Sequence, residues 1–400
     1  MTHPILIIGG GIGGLTAAVA LERQGFAVQV FERAAEIGDV GAGISLGVSA
    51  SKGLYALGLR EIIRAAADLP QVGGALHYQT GEPLGGGFAE KVFHADDLPF
   101  VNQIHRADLF TILKDALEGL NPTALHLGHA FVGFEQDETG VTAIFADGKR
   151  VRGAALIGCD GIRSLVRQQM FGLDDPRFTG RVVYRFLVPM EDAAPYMHAG
   201  GSISYIAPRQ SLLRYSIRRG AQVNCVAFIH SDNWKGEGWS ERVPSDELVA
   251  LFDGWHPDVQ GLARAAPLEG TAKWGMYDRE PLDIWTQGRV ALLGDSAHPM
   301  LPFLGLGAAM AIEDAVVLAR ACQETPTDIP LALSTYEASR TGRAGAILLE
   351  SRHQGEIFSD GPGTARRPKI APRERMNYDP ATVPLGYNPA WTWQPIAQTA

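Results

Sequence analysis

A chain of 400 residues exceeds one ordinary core and predicts two domains, interleaved or in series. Hydrophobic residues at 46%, charged residues at 20% and a net charge of −9 describe a globular protein with no basic stripe, which argues against nucleic-acid binding. The 3 cysteines, Cys159, Cys225 and Cys322, are far apart and form no CxxC pair, which argues against a disulfide frame or a zinc site.

Pro4 to Ile8 is an apolar run bounded by glycine, the pattern of a buried parallel strand. Leu15 to Gln24 has helical composition and stops at Gly25, and Ala27 to Phe31 reads as a second strand closing on Glu32. Arg106 to Leu120 is predicted helical, Phe131 to Asp137 and Val141 to Ala146 a hairpin, and Ala154 to Ile157 a buried strand. From Val182 the composition turns β-rich: Val182–Val188, Ser202–Ile206, Leu212–Ile217 and Gln222–Ile229 read as successive antiparallel strands. Arg289 to Leu293 restores the parallel-strand pattern, and Gly307–Cys322 and Leu331–Phe358 are long helical stretches. The most apolar stretch, Val290 to Leu318, is interrupted by Asp295, His298, Glu313 and Asp314, so no membrane span is expected and a soluble cytoplasmic protein is. The pattern predicts an α/β domain, in two layers, with an antiparallel sheet inserted into it. Residues 1–75, 101–180 and 275–360 are assigned to the first domain, 76–100 and 181–274 to the inserted one, and 361–400 to an extended tail.

Three motifs sit at strand ends. Gly9-x-Gly11-x-x-Gly14 lies between a strand and a helix, where glycines permit a tight turn and close approach of backbone to a pyrophosphate. Glu32, at the end of the next strand, is placed to accept ribose hydroxyls, which suits FAD or NAD. Gly158-Cys-Asp160-Gly161 and Gly294-Asp295-Ser-Ala-His298-Pro299 each follow a buried strand, and the last continues through Pro302, Gly305, Gly307 and Ala308 into a helix. An Asp beside glycine can cap a turn as readily as bind a ligand, so each of these two motifs alone leaves both readings open.

In this order and spacing the three motifs resemble the class A flavoprotein monooxygenases, the family of para-hydroxybenzoate, salicylate, 3-hydroxybenzoate and hydroxynicotinate hydroxylases. The resemblance covers roughly residues 4 to 350. It implies a Rossmann-like FAD domain of the glutathione-reductase type, an antiparallel β-sheet substrate domain and C-terminal helices. It implies tightly bound FAD, held by Gly9, Gly11, Gly14, Glu32, Arg33, Ala42, Gly43, Arg106, Asp160, Gly161, Asp295, Pro302, Gly305, Gly307 and Ala308. With a single GxGxxG, NADH or NADPH is expected to dock transiently, with a lean toward NADH. Further partners are O2 and a small aromatic substrate hydroxylated through a flavin C4a-hydroperoxide, in a monomer or homodimer.

The chain departs from those relatives on the substrate sheet. Where the salicylate-like branch often carries a His four residues before a Tyr, this chain has Ser211 and Tyr215. Tyr215, Arg185, Tyr205 and Arg214 remain to anchor a phenolate or carboxylate. Strand alternation puts Tyr215 opposite to Arg214 and favours Tyr215. His230 reads as a solvated strand-edge residue and His298 as supporting structure. Val48-Ser49 replaces a common Pro-Asn, and Leu306 replaces a common Gln, which predicts fewer polar contacts above the flavin ring. Other outcomes on the same fold stay open: epoxidation, oxidative decarboxylation, Baeyer–Villiger oxygenation, or flavin binding without turnover. Trp391-Thr-Trp393-Gln-Pro395 is an imperfect match to a halogenase signature and is set aside. Tyr378-Asp379-Pro380 resembles the closing segment of salicylate-like hydroxylases.

Overall fold

The computed structural model describes residues 3–36, 42–70, 72–89, 101–173, 175–231, 234, 241–267, 270–364, 366, 368–370, 375 and 378–386. Gly41 and the Trp391–Pro395 segment lie outside them.

A six-stranded sheet forms the centre of the first domain, in the order Thr286–Gln287, Val290–Leu292, Ala155–Gly158, Ile5–Ile8, Val28–Phe31 and Leu125–His126. All neighbours are parallel except the hairpin edge formed by the first two. Its inner strands are short and wholly apolar, because a parallel strand is covered on both faces. Helices Ile12–Arg23, Arg106–Leu120 and Gly307–Glu324 pack with this sheet in one continuous apolar core. The expected hairpin is part of a three-stranded antiparallel sheet, Phe131–Asp137, Gly140–Phe145 and Arg150–Gly153. It presses Phe145 onto Phe31 at 4.6 Å between ring centroids, adding a layer to the two that the pattern suggested.

The inserted domain is an eight-stranded sheet ordered Glu241–Arg242, Ala272–Asp278, Arg177–Pro189, Gln222–His230, Gln210–Ile217, Ser202–Ala207, Gly73–His77 and Pro83–Ala89. It is antiparallel except where Ser202–Ala207 runs parallel to Gly73–His77, a pair that only a long crossover can join. Strands Gly73–His77 and Arg177–Pro189 begin before residues 76 and 181, and Ala272–Asp278 runs past 274.

Alternation divides this sheet into two faces. Val182, Tyr184, Phe186, Tyr205, Leu212, Cys225 and Ala227 pack in one cluster with Leu248 and Phe252, Val259 and Leu262. These last come from, or directly follow, helices Ser245–Leu251 and Pro257–Ala265, which the sequence reading did not anticipate. The opposite face carries Val183, Arg185, Leu213, Tyr215, Val226, Phe228, Trp274 and Met276 and looks toward the first domain.

Helix Ile329–Asp360 then spans both halves: Tyr336 donates to the Leu292 carbonyl at 3.0 Å, while Arg181 of the inserted sheet donates to Ser359 Oγ at 2.9 Å. The chain beyond residue 361 is not merely extended. Tyr378 lies over the Arg343 guanidinium at 4.2 Å and the Arg340 guanidinium at 5.1 Å. Arg320 donates to the carbonyls of Pro380 and Val383 at 2.9 and 2.8 Å. No described helix is long and apolar enough to cross a membrane.

Candidate active site

The first strand ends at Gly9, whose φ of +107° turns the chain sharply into helix Ile12–Arg23. A side chain at Gly14 would strike the Gly9 carbonyl, so the helix can sit this close only without one. Gly11 caps the helix with no side-chain acceptor, and a Cβ there would meet nothing within 4 Å. The free amides of this helix end are the groups that bind anions. Glu32 sits beside them: its Oε2 accepts the Gly10 amide at 2.8 Å and its Oε1 the Ala34 amide at 2.9 Å. Arg33 is exposed next to it.

A cleft of about 400 Å³ opens from this turn, lined by Gly11, Gly13, Gly43, Ser45, Arg106, Gly161, Asp295, Pro302, Gly305, Gly307 and Ala308. Helix Gly307–Glu324 points its uncapped N-terminus into it. Ala42 is buried at the rim and accepts the Arg106 amide at 2.8 Å, so the two residues are held together. Asp295 faces the cleft and takes no hydrogen bond from a described residue; desolvation raises its pKa, with His298 and Arg106 opposing the shift.

Asp160 lies behind this surface rather than on it. Its Oδ2 accepts the amides of Leu165 and Val166 at 2.7 and 3.2 Å, and its Oδ1 the hydroxyls of Ser164 and Ser296 at 2.5 and 3.3 Å. Burial raises its pKa, and these bonds oppose the shift. The carboxylate caps a turn and ties the Gly158–Gly161 loop to the Gly294–Ser296 loop.

The second strand-end motif has its own brace. Asp314 accepts the Gly294 amide at 3.0 Å, meets His298 Nε2 at 2.6 Å and takes the Arg340 Nε at 2.7 Å. Neighbouring Glu313 is gripped by Arg343 at 2.8 Å through both oxygens. Burial works to raise both carboxyls, but the cations outweigh it: Arg343 and Arg340 hold Glu313 low, and His298 and Arg340 hold Asp314 low. His298 is thus supporting structure, as read from the sequence.

A larger lobe of about 740 Å³ continues past the first, and Arg185, Val226, Phe228, Asp295, Met300, Leu301 and Pro302 line both. Tyr215 closes the sheet side, 3% exposed; burial raises its pKa, with nearby Arg185 and a hydrogen bond to Ser45 opposing the shift. Arg185 is part-buried over the Trp274 ring at 5.5 Å.

Three readings need correction. Tyr205 is not in the cleft: its register partner is Leu212, so it points to the helix-covered face, donates to Asp258 at 3.2 Å and has its pKa pushed up to about 12 by burial and Asp258. Leu306 is 2% exposed and sits in the core beneath the loop, so it presents nothing above a ring. His230 is no free edge residue, for its Nε2 lies 2.7 Å from Ser359 Oγ. Ser211 shares the Tyr215 face but lines a separate pinched cavity with Phe228, Phe303 and Ser359. Arg214 is fully buried off the cleft and donates to the Gly200 and Gly201 carbonyls at 2.7 and 3.1 Å. Trp274, Phe228 and Met300 line the lobes and were missed by the sequence reading, as was Asn224, which lines neither but holds the Gly43 amide of the cleft wall. Asn224, a lone polar residue between apolar neighbours on its strand, carried a readable signal.

The sequence matches the family model for the FAD binding domain over residues 2–351. It is 37% identical to 3-hydroxybenzoate 6-hydroxylase of Polaromonas naphthalenivorans, covering 89% of this chain and 88% of that one. It is 36% identical to a 3-amino-4-hydroxybenzoate 2-monooxygenase of Streptomyces platensis, covering 93% of each. In structure it resembles Klebsiella pneumoniae HpxO complexed with FAD and uric acid, with a TM-score of 0.79, 28% identity, and 90% and 89% of the two chains covered.

The chain belongs to the class A FAD-dependent aromatic monooxygenases.

Membership in the class A monooxygenases explains the shape of the site: a Rossmann-like FAD domain covered by one face of a β-sheet that walls a second lobe. The cradle fits the group. Open space at Gly11, an unsatisfied Asp295 and two uncapped helix ends facing one cleft are what a dinucleotide with a pyrophosphate and a polyhydroxyl chain requires.

Proposed function

We propose that this chain uses NADH or NADPH and O2 to hydroxylate a small phenolic, hydroxybenzoate-like or hydroxypyridine-like ring. The observation that carries this reading is the junction of the two lobes, where Tyr215 and Arg185 of the sheet meet Asp295 and Pro302 of the cofactor cradle in one cleft.

FAD, when bound, supplies the electron transfer and oxygen activation. Gly9, Gly11 and Gly14 would admit its pyrophosphate and Glu32 its ribose, with Arg33 and Arg106 supplying positive charge. Asp295, with its raised pKa, would hold hydroxyls of the ribityl chain. Ala42, Gly43, Pro302, Gly305, Gly307 and Ala308 would border the ring, with Asp160 and Gly161 fixing the loop beside it.

The protein's remaining tasks are to orient the substrate, exclude water and manage one proton. Val183, Val226, Phe228 and Met300 give the lobe apolar walls that keep water out. Tyr215 keeps its proton at neutral pH, so it acts as a hydrogen-bond donor to a ring oxygen rather than as a base. No histidine lines either lobe among the described residues; Tyr215 and Arg185 are the polar side chains that the inserted sheet presents to the smaller lobe, and they would make its polar contacts to the substrate.

The test is oxidation of NADH and NADPH by the purified flavoprotein against hydroxybenzoates, hydroxypyridines and resorcinols, with product masses. Stimulated oxidation with gain of one oxygen atom supports the reading. Silence across the whole panel would remove it.

A further inference from the structure

Phe228 is the one described residue that lines both lobes of the cleft and also the pinched cavity of about 10 Å³ beside helix Ile329–Asp360. Phe303, from the loop that carries Pro302, packs on it with ring centroids 5.0 Å apart and lines the pinched cavity but neither lobe. Phe303 is itself wedged in place. Gly355 of the helix passes so close that a Cβ there would stand 2.6 Å from its Cε2, and the Arg181 guanidinium covers its ring at 5.5 Å. One turn earlier on the helix, Ser351 donates to the Leu301 carbonyl at 2.5 Å and pins the loop. A chain of contacts thus runs from helix to cleft: Gly355 seats Phe303, Phe303 backs Phe228, and Phe228 faces the ligand space.

The strand register fixes where along the cleft that face stands. Tyr215 pairs with Asn224, Leu213 with Val226 and Ser211 with Phe228, three successive rungs on one side of the sheet. Rungs on one face of a strand are about 6.8 Å apart, so Phe228 stands roughly 13 Å along from the rung of Tyr215. A hydrogen bond, one phenolic ring and a van der Waals contact fill that span. The ring then lies over Leu213 and Val226, its hydroxyl toward Tyr215 and its opposite edge against Phe228.

We infer that Phe228, backed by Phe303 and Gly355, is a depth stop that sets substrate specificity: it admits a ring bearing hydrogen or methyl at the edge opposite the hydroxyl and rejects longer substituents there. Phe228 meets the ligand, whereas Phe303 and Gly355 are positioning residues that act through it. A close-packed interior passes such a push from ring to ring, because it has no slack to absorb it. This deepens the proposed hydroxylation and rests on it for the fate of the ring, but not for its binding.

The experiment titrates the FAD-loaded protein, without NAD(P)H, with phenol and its 4-methyl, 4-ethyl and 4-propyl derivatives, following flavin absorbance and heat of binding. Each added methylene ordinarily strengthens binding to an apolar site. Here affinity should rise to 4-methylphenol and then fall, by about 10-fold or more at 4-propylphenol. Phe228→Ala should abolish the fall and tighten 4-propylphenol about 10-fold, with Phe228→Leu in between. Phe303→Ala should relax the limit partway, because Phe228 gains room to retreat, and Phe303→Leu should keep more of it. Gly355→Ala should act in the opposite sense. Alanine suits a helix interior, but its methyl drives Phe303 toward Phe228, so 4-methylphenol should weaken about 10-fold while phenol holds. A merely structural role for Phe303 or Gly355 would lower the melting temperature and leave the order of the phenols unchanged. Should Phe228→Ala fail to fold, the opposed effects of Phe303→Ala and Gly355→Ala decide the matter. Affinity that climbs steadily to 4-propylphenol in the unsubstituted protein would overturn the inference. So would a folded, flavin-loaded Phe228→Ala protein with the original order, or binding of none of the phenols to either protein. If binding follows the expected order while neither these phenols nor any hydroxybenzoate stimulates NAD(P)H oxidation, the depth stop stands and the hydroxylation reading fails.

Discussion

The Oδ1 of Asn224 accepts the backbone N–H of Gly43 at 2.8 Å, joining the middle of the inserted sheet to the edge of the cofactor cradle. Tyr215, paired in register with Asn224, closes on the same glycine. A Cβ added at Gly43 would sit 2.7 Å from Tyr215 Cε2 and 2.8 Å from Asn224 Cγ. Gly43→Ala should therefore displace Tyr215 and cost about 1–3 kcal/mol of stability. Thermal unfolding together with kcat/KM checks this; a variant with native values for both would show that the contact yields freely.

Tyr215→Phe removes one hydroxyl and little volume. Hydroxylated product per NAD(P)H oxidised should fall, with hydrogen peroxide rising in proportion, while FAD content stays native. Simultaneous product and peroxide assays decide it, and unchanged coupling would take Tyr215 out of the substrate's hydrogen bonding.

Asp295→Ala removes the one acidic side chain among the described residues that lines both lobes, and it accepts no hydrogen bond from any of them. Flavin absorbance per protein after gel filtration should drop well below that of the unsubstituted protein. Glu32→Gln should weaken retention less, since its amide oxygen still accepts one backbone N–H where the carboxylate accepts those of Gly10 and Ala34.

Tyr378 separates ring from hydroxyl. Its ring covers Arg343 and Arg340, whereas its hydroxyl is buried without a partner among the described residues. Tyr378→Phe should leave the melting temperature unchanged or slightly raised, and Tyr378→Ala should destabilise by about 3 kcal/mol. Scanning calorimetry of both variants separates the two contributions; equal losses would mean that the hydroxyl, not the ring, matters.

The Glu313 and Asp314 carboxyls have native pKa values below their ordinary 4.5 and 3.8. A depressed carboxyl contributes stability that is complete above the unfolded-state value and lost as pH falls through the native one. Acid unfolding of the FAD domain should thus set in below about pH 4. Asp314→Asn should lower stability at neutral pH and flatten its decline between the ordinary and native values. Denaturant midpoints across that acid range measure the effect; parallel curves for both proteins would count against the assignment.

How far the sequence could be read follows from which features are local. The glycine turn, Glu32 and the Gly294-Asp295 loop are contiguous motifs, and their side chains or backbone meet in the cradle. Helix Arg106–Leu120 and the four strands after Val182 were legible because periodicity spans only a few residues. Tyr205 could not be assigned a face, because its direction depends on the register with Leu212 across a turn, and no single-strand pattern encodes register. Trp274 escaped for a related reason: its strand, Ala272–Asp278, joins the sheet beside Arg177–Pro189, more than eighty residues earlier in the chain. Leu306 was misplaced because a glycine-rich loop has no periodicity from which to read burial.

The division of the cofactor domain also sets an order on its birth. The eight-stranded sheet is complete once residue 278 has emerged, while the parallel sheet still lacks Val290–Leu292 and the cradle lacks Asp295 and the Gly307 helix. Synthesis from the N-terminus therefore delivers the inserted domain as the first finished unit, with the opening βαβ segment waiting for its partners. FAD has no complete berth until the loop through Ala308 has left the ribosome, and Arg320 cannot clasp Pro380 and Val383 until later still. Flavin capture is in this sense a late event, the closing act of assembly rather than its nucleus.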